Sequence, residues 1–85
     1  MMKLSEMNNI GNALAGKLEE AGIASCKDLI ESGSENAFIR LRSIDPNVCI
    51  NMLYALEGAV QGIRWHHIDE GRKAELREFF NKMKT

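Results

Sequence analysis

The stretch from Asn9 to Gly33 constrains the fold of this chain more than any other. Asn9-Ile10-Gly11 reads as a tight turn, and apolar residues then fall at 10, 13, 14, 18 and 21. That spacing is the one-face stripe of an amphipathic helix. Gly22 supplies a left-handed stop. Ser25, with Asp28 three residues on, resembles a capping box, opening a short helix through Ser32 that Gly33 closes. A glycine-containing turn, a helix, a stop and a second capped helix predict a helix-hairpin-helix unit at about residues 9–33. Such units commonly hold nucleic acid.

The hairpin grips phosphate through backbone N–H groups at a helix N-terminus, aided by the helix dipole and a nearby cation. Its usual pattern is Gly-apolar-Gly with a basic residue two positions later. Here Asn9 stands at the first glycine position, which asparagine fills because it tolerates left-handed geometry. Gly11 fills the second, Ala13 stands where the cation belongs, and Lys17 is the only cation on that helix. Residues 1–36 carry three lysines against six acids, so this half of the chain repels a polyanion. The hairpin is therefore expected to act as scaffold. Any weak phosphate contact would run through Asn9, Ile10, Gly11, Asn12 and Lys17.

The remaining segments also read as helix. Ser34 caps the next one, with Glu35 in its first turn and Ala37, Phe38 and Leu41 on its inner face. Asp45-Pro46 signals the start of a helix over about residues 47–62, apolar nearly all round, which belongs in the middle of a bundle. Gly58 and Gly62 on it cost about 1 kcal/mol each against alanine. Close approach of a neighbouring backbone is the expected return, and Gly62 also ends the helix. Leu76, Phe79, Phe80 and Met83 form the face of a last helix capped by Asp69. No window alternates with period two. The expected fold is all-α: one domain over residues 1–85, a compact five-helix bundle, SAM-like, containing the hairpin.

Two segments together carry a family resemblance. One is Asn9-Ile10-Gly11 through Ala21-Gly22-Ile23 to Asp28-Leu29; the other is Leu53-Tyr54-Ala55-Leu56-Glu57-Gly58-Ala59 followed by Gly62-Ile63-Arg64-Trp65. With them, over about residues 4–83, the chain resembles the carboxy-terminal domain of the TfoX competence-regulator family. The resemblance implies an all-helical domain, a link to regulation of DNA-uptake competence in bacteria, and no catalysis. In that family the domain often follows a separate amino-terminal one.

Arg64-Trp65-His66-His67 places an aromatic among cations, a composition suited to anchoring a partner or stacking on bases. The expected arrangement packs the Trp65 ring over the last helix and leaves Arg64 and the histidines in water. From Gly71 onward five basic residues face two acids, so Arg72, Lys73 and Arg77 join Arg64, Trp65 and His66 as a possible partner surface. Adjacent histidines diverge on a helix, and Cys26 and Cys49 fit no metal spacing, so no metal or other cofactor is expected. The cysteines read as reduced, buried thiols of a cytoplasmic protein. Glu57, on the apolar helix, needs a cationic partner such as Arg40 or Arg64. No nucleophile–base pair or phosphate-cradling loop is present in the sequence, no small-molecule substrate is expected, and no apolar run reaches the roughly 20 residues of a membrane span. The expectation is a non-enzymatic regulatory domain that docks a protein partner or a second copy of itself. Weak DNA or RNA binding is the alternative.

Overall fold

A computed structural model describes residues 3–83. A 3-10 turn at Leu4–Glu6 is followed by α1 (Asn12–Glu20), α2 (Cys26–Ile44), α3 (Ile50–Gln61), a second 3-10 turn at Trp65–His67, and α4 (Glu70–Met83). Among the described residues every regular element is helical. No helix among them is long and apolar enough to cross a membrane.

The expected count of five helices is corrected to four. The segments split at Gly33 run on as one 19-residue element, α2, although Gly33 does leave helical geometry, with φ 79° and ψ 163°, so two helical runs meet there at a kink. Ser34 does not cap a new helix. It is buried, and its hydroxyl donates to Glu57 Oε1 at 2.6 Å, so the helix resumes at once with Ser34 pointing inward.

The helix-hairpin-helix unit is corrected too. That unit needs a helix on each side of its glycine turn, but a mere three-residue 3-10 turn precedes Asn9. Met7 and Ile10, on either side of Asn8-Asn9, are buried and anchor this loop on the core.

Local chemistry sets most boundaries. Ser25 accepts the Asp28 N–H at 3.1 Å and opens α2. At the end of α1, Gly22 N–H bonds Glu19 O and Ile23 N–H bonds Leu18 O, a closing pair that satisfies orphan carbonyls. The same pair ends α3, where Gly62 takes φ 76°. Asp69 Oδ2 accepts the Gly71 N–H at 3.0 Å and starts α4. Asp45-Pro46 does not begin α3. Asp45 Oδ1 accepts the Asn47 N–H at 3.0 Å in a turn, and the helix starts at Ile50.

Leu18, Ile23, Leu29, Phe38, Leu41, Leu53, Leu56 and Leu76 are fully buried. Each contributes roughly 1.5–3 kcal/mol over its exposed state. The packing of α2 on α3 is the most extensive, and α3 also meets α4 and the second 3-10 turn. The expected burial of both thiols is corrected: Cys26 is partly buried and Cys49, just ahead of α3, is exposed.

Candidate functional site

Asn9 joins the two segments that stood out in the sequence. It takes φ 70°, the one positive value at a non-glycine among the described residues. Its side-chain Nδ2 donates to the Ile63 carbonyl at 3.0 Å and to the Ala55 carbonyl at 3.4 Å. Its Oδ1 accepts the Trp65 N–H at 3.1 Å. One amide thus ties the amino-terminal turn to the end of α3 and to the second 3-10 turn. Gly58 makes room for this clamp. A Cβ there would collide with Asn9 Nδ2 and would lie 2.8 Å from the Ile63 carbonyl oxygen and 3.1 Å from the Trp65 nitrogen.

Around the clamp lies an open cleft of about 620 Å³. Met7, Asn8 and Asn9 line one side, Asn51 the α3 side, and Arg64 and Trp65 the other. The Arg64 guanidinium has no hydrogen-bond or ion-pair partner among the described residues. Trp65 is 42% exposed. Its ring does not simply cover the last helix, as expected: it stacks parallel to Tyr54 of α3, centroids 6.2 Å apart, and Lys73 of α4 places its Nζ 5.5 Å from the ring centroid. His66 meets the ring edge-on at 5.5 Å, and both histidines are exposed. Two of the sequence candidates, Asn9 and Arg64-Trp65, therefore share one cleft.

The other candidates are placed elsewhere. Ile10 is a core residue, while Gly11 and Asn12 lie at the exposed start of α1. Lys17 is ion-paired with Asp45, which holds that carboxyl below its ordinary range with help from the Asn47 N–H. Arg72 reaches Glu35, Glu57 and Glu75 at 3.0–3.3 Å. Lys73 lies 3.8 Å from Glu70 as well as against Trp65, and Arg77 donates to the Tyr54 hydroxyl at 3.4 Å. The basic end of the chain is thus largely engaged within the molecule.

Glu57, itself buried, has the ion pair its position demanded, but with the partly exposed Arg72, not Arg40 or Arg64. The α4 helix packs on α3 and brings Arg72 to Glu57, while Arg64 faces the cleft. Burial pushes the Glu57 carboxyl upward. The bonds from Arg72, Ser34 and Gln61, with the Arg72 charge, outweigh it and hold the group below the ordinary glutamate value. Glu57 raises the Arg72 guanidinium in turn, against the opposing effect of burial. Among the described residues no cluster of three or more His, Cys, Asp or Glu side chains could hold a metal ion.

Sequence reasoning missed Met7, Asn8 and Asn51 as cleft residues. Asn51 had a visible signal, as a polar break in an otherwise apolar run. Met7 and Asn8 had none, since only the fold brings the amino-terminal turn to α3.

Residues 1–80 match the TfoX C-terminal domain family. Among solved structures, an uncharacterized protein from Listeria monocytogenes in a triclinic crystal form superposes with TM-score 0.97 at 48% identity, over 98% of this chain and 94% of that one. A Listeria monocytogenes protein of unknown function in a tetragonal form gives TM-score 0.91 at 51% identity, over 93% of this chain and 98% of that one. No curated protein matches the chain.

Proposed function

The chain belongs to the TfoX C-terminal domain family, and we propose that it is a non-enzymatic regulatory interaction domain that docks a protein partner through the face around Asn9, Arg64 and Trp65. The observation that carries this reading is the cleft itself: a half-exposed tryptophan and an unpaired arginine converge on a concavity built around the partly buried Asn9 clamp. Tryptophan and arginine contribute disproportionately to protein interfaces, because each offers large contact area with a polar handle. A preformed rim also lowers the ordering cost of association. The regulation concerned is that of competence for DNA uptake, which the family resemblance implies, and the setting is the cytoplasm.

The pattern of charge favours a protein over a nucleic acid. Lys17 and Arg72, which a phosphate backbone would need, are already paired with carboxylates. Photo-crosslinking from Asn8 in an extract of the native host tests the proposal. A discrete adduct should form with the wild-type chain, survive Lys82→Ala, and disappear with Trp65→Ala. An adduct pattern indifferent to Trp65 would refute the assignment of this face.

A further inference from the structure

Beside the Trp65 cleft lies a second hollow of about 360 Å³, and the two share Met7 and Asn8 as a common wall. The second hollow is mainly apolar, lined by Met7, Cys26, Ile30, Ala59 and Val60, with Glu6 among its polar residues. Ile30 is 53% exposed, the most open of the large apolar side chains described. The first cleft differs in kind. It holds one cation, Arg64, with asparagine amides and no carboxylate among its lining residues.

We propose that the two hollows form one continuous groove for an extended segment of a partner polypeptide, with an acidic side chain forked on Arg64 and an apolar side chain seated against Ile30, Ala59 and Val60. This deepens the docking reading above and rests on it. The guanidinium is the planar donor that pairs a carboxylate through two bonds. Asn8 and Asn51 offer both donors and acceptors to a peptide backbone passing between the hollows. An extended chain advances about 3.3 Å per residue with side chains on alternate faces, so the spacing between the acidic and the apolar side chain is what fits a segment to both hollows. A nucleic-acid strand fits this groove poorly. It would carry repeated phosphates past Glu6 and over an apolar floor, and the Trp65 ring on which a base would stack already lies against Tyr54 and Lys73.

The test titrates the isotopically labelled full chain with short capped peptides and follows its backbone amides by NMR. Each peptide has one Glu and one Leu on a Gly-Ser background, separated by one to four residues, with a matched series carrying Lys in place of Glu and an oligo-dT arm. The expected result is that at least one spacing shifts the amides of Asn8, Asn51, Ile30 and Val60 together. The Lys series should bind about tenfold more weakly, the loss of one charge-assisted pair, and Arg64→Glu should reverse that preference. Shifts absent at every spacing, shifts elsewhere, equal response to the Glu and Lys series, or stronger binding of oligo-dT at the same amides would each overturn the groove. A Trp65-dependent crosslink alongside any of these outcomes would leave the docking reading standing and remove only the peptide chemistry.

Discussion

At the scale of single residues, Asn9 and Gly58 act as one device. Asparagine alone among common residues both tolerates φ 70° and presents a donor and an acceptor from one short side chain. Its bonds to Ile63, Ala55 and Trp65 require the bare α-carbon of Gly58. In a helix interior, glycine to alanine ordinarily stabilises by up to about 1 kcal/mol. Gly16, inside α1, follows that rule, because an added Cβ would meet nothing within 4 Å. Gly16→Ala should therefore raise stability by about 0.5–1 kcal/mol in urea denaturation. Gly58→Ala should lower it by about 2–3 kcal/mol, since overpacking and broken clamp bonds exceed the helical gain. Equal and positive effects at both sites would mean that the close approach at Gly58 is not real in solution.

At the scale of elements, α4 is held by more than its apolar face. Leu76 is buried and Phe80 tilts against Phe38, with ring centroids 5.8 Å apart, while Arg72 links the helix to Glu57 of α3 and Glu35 of α2. Because the folded Glu57 titrates below the ordinary value near 4.5, the unfolded chain binds its proton more readily. The stability that Glu57 adds is thus complete above about pH 4.5 and is lost as pH falls through the lower folded value. Glu57→Gln should cost about 1–3 kcal/mol at neutral pH. Its deficit against the wild type should shrink on acidification below about pH 4.5. Asp45 titrates downward as well, but it is common to both chains and cancels. A deficit constant from neutral pH to pH 3 would show that Glu57 does not act through its charge.

The same elements show what could be read in advance. The stripes of α1, α2 and α4 and the stops at Gly22 and Gly62 were legible because periodicity and backbone chirality are local. The fused α2 was not. Gly33 does interrupt the helical backbone, but the second run follows at once, with Ser34 turned inward to bond Glu57 across 23 positions. The need of Glu57 for a cation was legible; the identity of Arg72 depends on how α4 packs. At the site, Arg64-Trp65 announced itself by composition. The role of Asn9 did not, because its partners lie 46 to 56 positions away.

At the scale of the whole molecule, the chain is near-neutral and holds Lys17, Arg72 and Lys73 in internal ion pairs, while Arg64 lies beside an exposed aromatic. Nonspecific DNA binding draws on free cations and weakens steeply with salt. Fluorescence anisotropy with short duplexes at low salt should therefore show no saturable binding below about 100 μM. Tight, salt-sensitive capture abolished by Lys73→Glu and Arg77→Glu would reverse that view. The account depends on the Asn9 clamp assembling the cleft, and the exchange rate of the Trp65 amide hydrogen measures that clamp directly. In the wild type this N–H, accepted by Asn9 Oδ1, should be protected. In Asn9→Ala its protection should fall by tenfold or more, about 1.4 kcal/mol, while the Leu53 amide in α3 stays protected. A Trp65 amide that exchanges at the same rate in both chains would contradict the account.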